Sequence, residues 1–582
     1  MAEQVATGPD PVRVGPDEHV LTTLWHRAGS EEGGRDLLWR PDDGGWVAMT
    51  ADELVERVRS VAAGLVARGV SPGDRVAIMS PIRIEWTVAD LAVLAAGAVV
   101  VPIYDTSSQD QAAHILGDSS PVMAIVADDE TADLVGKAAA EGAAIDVVTM
   151  DGGGLDDLVE AAGDAHRDEV ERRVAGLSGA DVASIVYTSG TTGDPKGCVL
   201  THRNLVWTAR QTLHRLDGVV GPDDSTLLFL PLAHIFTRVV SYVCIELGAR
   251  IGFARSLEDM PEDLRSFQPT FLLAVPRVFE KVFRSAQRQA TGPRAKVFDL
   301  AVRVGTAWSR AARPWPHLWL GRAVADRLVY AKLRAGVGGR VRFCVSGGAP
   351  LDPDLGHFFR AAGIPILEGY GLTETSAPAT VNIPTEMKIG TVGRPLPGVS
   401  IRVGDDGEVQ ISGESVLADY HQNAEATDES FDGEWLLTGD LGELDDDGYL
   451  TITDRKKELI VTASGKNVAP SPLEQRIASH RLVASAMVVG DRRPFLAALV
   501  TLDPDEVGED ERDDEEIRRQ VQEAVDDANR AVSRAESIRE FVVLDRDFSI
   551  REDELTQTMK LRRNTIAEHF ADEIDSIYAD SS

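Results

Sequence analysis

From Tyr187 to Gly197 the chain reads Tyr-Thr-Ser-Gly-Thr-Thr-Gly-Asp-Pro-Lys-Gly, directly after the strand-like run Ser184-Ile185-Val186. The glycines, Gly190, Gly193 and Gly197, permit positive φ and close backbone approach. Thr188, Ser189, Thr191 and Thr192 carry hydroxyls that can donate to phosphate oxygens beside successive backbone N–H groups, and Lys196 adds a mobile positive charge. This composition makes a cradle for an anion. It is not the Walker A loop: Pro195 precedes the lysine and Gly197-Cys198 follow it, so no hydroxyl stands where that motif holds Mg²⁺.

Glu368-Gly369-Tyr370-Gly371-Leu372-Thr373-Glu374-Thr375 forms a second glycine-rich run. A tyrosine between glycines can lie flat against a nucleobase, Thr373 can contact a phosphate, and Glu374 can ligate Mg²⁺, a hard ion that prefers carboxylate and phosphate oxygens. Asp440, in Thr438-Gly439-Asp440, is suited to accept hydrogen bonds from ribose hydroxyls.

Together these runs resemble the adenylate-forming superfamily of acyl-CoA synthetases, luciferases and adenylation domains. The stretch Phe431 to Asp440, continuing through Asp454-Arg455-Lys456-Lys457-Glu458-Leu459-Ile460, resembles the fatty acyl-CoA synthetase branch. The resemblance covers roughly Leu21 to Ala571, with the motifs in the family's order. It implies that Gly348, Ala349 and Pro350 form a wall of an adenine pocket together with Gly369, Tyr370 and Gly371. By the same resemblance Asp440 and Arg455 contact ribose, and Lys457 is the pivot of a C-terminal domain. His234, in Pro231-Leu232-Ala233-His234-Ile235-Phe236, borders the acyl group without acting as a general base. Lys560 is the matching catalytic lysine, although Met559 stands where the family has glycine.

The elements that must position these residues are legible in outline. Helical and strand-like runs alternate over the first 180 residues: Ala51 to Gly69 has helical spacing, whereas Arg75 to Met79 and Ala98 to Ile103 are strand-like. Such alternation predicts an α/β fold with largely parallel sheets flanked by helices. Further strands are expected at Val341 to Val345 and from Gly398 to Val403, the latter opening a β-rich subdomain that ends near Thr453. At 582 residues the chain exceeds one core. The charge cluster beginning at Asp454 marks the expected boundary between a large domain, residues 1–453, and a small mobile α+β domain, residues 454–582. The acidic run Asp503 to Glu516 reads as a solvated loop and helix start.

Cys198, Cys244 and Cys344 are widely spaced and suit a reducing compartment rather than a disulfide framework. The N-terminus lacks the charge and apolar pattern of an export signal, and Leu91 to Ile103 is too short to span a bilayer. A cytoplasmic protein is expected, with contact at the inner membrane surface as an added feature. With 59 basic against 94 acidic side chains, the net charge of −35 excludes general attraction to nucleic acid.

The superfamily's shared step is attack of a carboxylate on the α-phosphate of ATP, and its branches differ in the acceptor. The segment from Arg277 to Arg342 resembles the insertion of long-chain acyl-CoA synthetases and carries fifteen basic against three acidic residues, with Trp308, Trp315 and Trp319 among them. It is either an interfacial surface, touching the membrane from which long acyl chains are drawn, or a set of counter-charges to acidic patches elsewhere. The expected function is ligation of a long-chain fatty acid to coenzyme A with ATP and Mg²⁺. Its alternatives are a fatty acyl-AMP ligase serving a carrier protein, a medium-chain or aryl acid–CoA ligase, and a catalytically silent nucleotide binder. The intact set Lys196, Glu374, Asp440, Arg455 and Lys560 argues against silence.

Overall fold

The computed structural model describes residues 4–42, 45–139, 145–188, 195–463, 466–504, 506–507, 515–534, 536–556 and 559–579. The predicted alternation forms a six-stranded sheet ordered Asp146–Thr149, Met123–Val126, Arg75–Met79, Val99–Ile103, Val182–Thr188 and Lys196–Thr201. Its first five strands are parallel and the last returns antiparallel beside Val182–Thr188. The expected helix is Ala51–Ala67, started by a capping box between Thr50 and Glu53. It stops where Gly69 takes φ +91°.

A nine-stranded sheet stands beside the first. Its central strands, Ile366–Leu372, Phe343–Ser346, Phe271–Ala274, Ser225–Leu228 and Arg250–Phe253, run parallel. The strand expected at Val341 to Val345 therefore lies slightly further along. Side chains alternate between two layers, as the pleat requires. Leu228, Ile251, Phe271, Phe343 and Leu367 share a core with Leu205, Val206, Val239 and Val243 of the helices His202–Arg215 and Ile235–Leu247. Leu227, Leu272, Cys344 and Ile366 face the other way, onto Phe279, Phe298, Phe358 and Phe359 of the helices Pro276–Gln289, Pro293–Arg310 and Pro353–Ala362. The basic insertion thus lies on the layer opposite Ile235–Leu247.

The β-rich stretch is a six-stranded sheet whose later strands include Ser400–Val403, Glu408–Ser412, Trp435–Leu444 and Leu450–Arg455. Its first expected strand starts two residues late because Gly398 turns with φ +74°. From Ile460 onward the buried apolar residues form two cores of their own around a three-stranded sheet, Val483–Val489, Leu496–Leu502 and Ile538–Val543. The helix Glu515–Asn529 begins where the acidic run ends. Among the described residues no helix is long and apolar enough to cross a membrane.

Candidate active site

Thr188 and Lys196 close the antiparallel pair as register partners. Ser189, Gly190, Thr191, Thr192 and Gly193 lie between them, outside the described residues. The strand that leads in is fixed from below. Arg238, fully buried one turn into the helix that His234 begins, donates to Ser184 at 2.7 Å, to Asp90 at 2.5 Å and to Tyr242 at 2.8 Å. Tyr242 donates in turn to Asp90 at 2.6 Å. Every charge in this cluster is paired, which is the condition for keeping an arginine inside a core. The strand Val182–Thr188 and the His234 helix are therefore tied to one another.

At the carboxyl ends of the parallel strands, where open α/β sheets bind ligands, the remaining motifs converge on one cavity of about 570 Å³. Gly348, Gly369, Tyr370, Gly371, Thr373 and Glu374 line it together with Thr188, Arg455, Lys457 and Lys560. Ala349 and Pro350 continue the Gly348 loop outward as exposed residues and do not line the cavity. At Gly371 a Cβ would stand 1.7 Å from the carbonyl oxygen of Ala377, so only glycine allows the strand Ile366–Leu372 to turn there. Thr373–Thr375 then forms a short 3₁₀ turn that presents Glu374.

Asp440 and Arg455 are register partners on neighbouring strands, and the Arg455 Nε lies 3.0 Å from an Asp440 carboxylate oxygen. Tyr370 donates its hydroxyl to the other oxygen at 2.6 Å, which fixes the tyrosine ring at the cavity wall. Burial raises the Tyr370 phenol well above its usual pKa, and Asp440 adds to this. The guanidinium of Arg455 is half-buried, and although desolvation opposes its charge, the carboxylates of Asp440, Glu458 and Glu374 outweigh this and raise its pKa.

Glu374 has a partner that sequence reasoning missed. Tyr420 donates its hydroxyl to Glu374 Oε1 at 3.0 Å, and the ammonium of Lys196 stands 5.4 Å from the Tyr420 ring centroid. One tyrosine therefore connects Lys196 to Glu374. Tyr420 lies 46 residues beyond Glu374 in no recognisable motif, so only the fold brings it here. Among the described residues no cluster of three or more His, Cys, Asp or Glu could hold a metal alone. Glu374 is a carboxylate on the cavity wall that could hold Mg²⁺, which binds through one or two carboxylates plus substrate phosphates.

His234 is the N-cap of Ile235–Leu247 and accepts a hydrogen bond from the Phe236 N–H on Nδ1 at 3.2 Å. Burial lowers its pKa to about 4, with the charge of Lys560 contributing. The imidazole is neutral near pH 7 and a weak proton acceptor there. Lys560 enters from the small domain. Crowding by protein lowers its pKa, and Arg455 adds to this, while Asp440, Glu458 and Glu374 oppose it. Met559 takes φ +63°, a left-handed conformation glycine adopts without strain, which gives a physical reason for the family's glycine at this place.

Behind His234 the cavity continues as an apolar slot. Phe236, Val239, Val240, Val243 and Leu247, one stripe of the helix, line it against Phe271 and Phe343 of the sheet. The helical apolar spacing was present in the sequence, but spacing alone gives no sign of which side faces a cavity.

The fold, the glycine-shaped strand turn and the converging charged residues define a nucleotide-binding α/β enzyme. Residues 25–421 match the AMP-binding enzyme family and residues 457–582 the AMP-binding enzyme C-terminal domain. The chain belongs to this adenylate-forming family. It is 42% identical to the long-chain-fatty-acid–CoA ligase FadD15 of Mycobacterium tuberculosis over 98% of both chains. It is 29% identical to the long-chain-fatty-acid–CoA ligase ACSBG2 of Gallus gallus, covering 96% of this chain and 81% of the relative. In fold it resembles o-succinylbenzoate coenzyme A synthetase (MenE) of Bacillus subtilis, solved with ATP and a magnesium ion. That match has a TM-score of 0.69 at 23% identity and covers 93% of this chain and 98% of the other.

Proposed function

We propose that the protein joins a long-chain fatty acid to coenzyme A in two steps, forming an acyl-adenylate from ATP and then transferring the acyl group to the CoA thiol. The observation that carries this reading is the slot behind His234, taken with the named activity of the full-length relatives. Its helix has 13 residues, about 20 Å at 1.5 Å per residue. Carbon–carbon bonds of about 1.5 Å in a zigzag advance roughly 1.3 Å per carbon. The slot thus matches an extended chain of some fifteen carbons, with the carboxylate at His234 and the methyl end toward Leu247. An aryl acid would leave most of it unfilled.

Within this reading the cradle from Thr188 to Lys196 binds the phosphates, Tyr370 lies against the adenine, and Asp440 and Arg455 hold the ribose. Neutral His234 borders the carboxylate, which is already ionised and needs no general base. Lys560 supplies positive charge where negative charge shifts between carboxylate, α-phosphate and pyrophosphate, the type of preorganised stabilisation that dominates such reactions. Mg²⁺ would be held by Glu374 and supply further charge neutralisation at the phosphates. Glu374→Gln keeps the shape but removes the anion. It should raise the Mg²⁺ concentration needed for ATP use by about tenfold or more, with fatty acid binding preserved; an unchanged Mg²⁺ titration would show Glu374 to be structural.

Chain length tests the slot. Val243→Trp places an indole about two-thirds of the way along it, so activity on palmitate should fall by about tenfold or more, a loss of at least about 1.4 kcal/mol from overpacking. Activity on an eight-carbon acid should persist. Equal losses on both acids would remove the slot from the reading.

A membrane contact is a further part of the proposal. Half of the fourteen strongly exposed large apolar side chains among the described residues fall between Val297 and Leu328. Trp315 is 71% exposed and Leu320 69%; Leu320, Val324 and Leu328 repeat at four-residue spacing along one helical stripe. The surrounding basic residues divide into two groups. Arg277, Arg310, Arg334 and Arg342 pair with Glu280, Asp354, Asp326 and Asp224, as internal counter-charges would. Lys296, Arg303, Arg313, Arg327 and Lys332 are exposed and form no ion pair among the described residues. An apolar ridge ringed by free cations fits an anionic bilayer, each cation near the surface contributing about 1 kcal/mol. A second copy related by a two-fold axis would oppose those cations to one another.

The ridge belongs to the layer opposite the slot, so it would tether the protein rather than open the slot onto lipid. Leu320→Asp with Arg303→Glu and Arg313→Glu should reduce co-sedimentation with phosphatidylglycerol vesicles at low salt several-fold and spare activity on a soluble short acid. Wild-type protein that ignores such vesicles, or dimerises through the ridge, would refute the contact.

A further inference from the structure

Arg284 is only 9% exposed, although it belongs to the basic insertion. From the helix Pro276–Gln289 it reaches into the small domain. Its Nη2 donates to the carbonyl oxygen of Ala478 at 2.5 Å, and its Nη1 donates to that of Val483 at 3.0 Å and to Asp503 at 3.2 Å. Ala478 is the last residue of the helix Ser471–Ala478, Val483 the first of the strand Val483–Val489, and Asp503 follows the strand Leu496–Leu502. Three element ends of one domain therefore meet a single guanidinium of the other. The Ala478 carbonyl is one of the terminal acceptors that a helix leaves unpaired, at the negative end of its dipole. One turn on, Arg288 lies 3.7 Å from Glu506. Arg284 does not line the cavity, so its contribution is made through the domain it holds.

We infer that Arg284 is a positioning residue: a clasp that holds the small domain in the orientation placing Lys560 in the cavity. This rests on the proposed two-step reaction, in which the small domain reorients between steps. When that domain turns away, the guanidinium and its acceptors return to water. The charge-assisted contacts therefore weight the balance toward the adenylating orientation. The clasp is remote from the reacting atoms and acts only on that balance.

The test uses Arg284→Gln, which keeps most of the side chain but removes the charge and the fork, and Asp503→Asn, which leaves the insertion intact. ATP–pyrophosphate exchange with palmitate should fall about tenfold in Arg284→Gln, the equivalent of one charged hydrogen bond, and more weakly in Asp503→Asn. Thioester formation from supplied palmitoyl-adenylate and CoA should be unchanged or faster. Tryptic cleavage at Lys456–Lys457 gives a readout independent of activity and should accelerate several-fold in Arg284→Gln as the small domain loosens. Faster cleavage with no wild-type exchange would sustain the clasp and sink the ligase reading. Cleavage and exchange both at wild-type levels, or equal losses in the two half-reactions, would overturn the clasp. If Arg284→Gln does not fold, the same comparison with Asp503→Asn decides.

Discussion

Replacing Lys560 by alanine should reduce acyl-adenylate formation by on the order of a hundredfold or more while leaving thioester formation from supplied acyl-adenylate near the wild-type rate. Loss of one preorganised donor aimed at developing charge has this magnitude. Lys560 lines the same cavity as Glu374 and Arg455, and crowding by protein, with Arg455 adding to it, lowers its pKa. The ammonium form is the useful one, so adenylation should fade on the alkaline side as pH rises through this lowered pKa, before an ordinary lysine near 10.4 would titrate. Half-reaction assays across pH check both statements. Equal losses in the two half-reactions would remove Lys560 from the chemistry of the first.

Lys457→Pro should have the converse effect, sparing adenylation and slowing thioester formation by about tenfold or more, a barrier increase of at least 1.4 kcal/mol. Lys456 is tied to the β-rich sheet through Asp406 at 2.6 Å and Glu408 at 2.8 Å. Glu458 is tied to the small domain through Arg563 at 3.0 Å. Lys457 stands between Lys456, tied to one body, and Glu458, tied to the other, exposed and within the short 3₁₀ turn Lys456–Glu458. Proline fixes φ near −65°, which suits the first turn of such a helix. It opposes the dihedral change that reorientation would need. Single-turnover measurements of each step separate this from general destabilisation, which would slow both.

The contrast between Glu374 and Tyr420 explains what the sequence could reveal. Glu374, Tyr370 and Lys196 lie in dense local runs of glycine, hydroxyl and charge, where the chemistry of neighbouring residues points one way. Tyr420 and Arg284 act through contacts made only after folding, and nothing adjacent to either marks it. Strands such as Arg75–Met79 were legible because alternating runs and turn residues bound them, and parallel sheets followed from their alternation with helices. The run around His234 was visible as apolar, but the slot along the helix Ile235–Leu247 required knowing which strands it faces. The basic insertion shows a different limit: composition counted its charges, whereas only packing separates Arg310, paired with Asp354, from Arg303 and Arg313.

The central claim is that a long-chain acid is adenylated before it meets a thiol, and isotope exchange tests it most directly. Wild-type protein given palmitate, ATP and Mg²⁺ without CoA should exchange labelled pyrophosphate into ATP, and added CoA should convert the acid to palmitoyl-CoA with release of AMP. Exchange that continues without thioester when CoA is present would identify a fatty acyl-AMP ligase instead, and absence of exchange with fatty acids of any length would contradict the proposed function altogether.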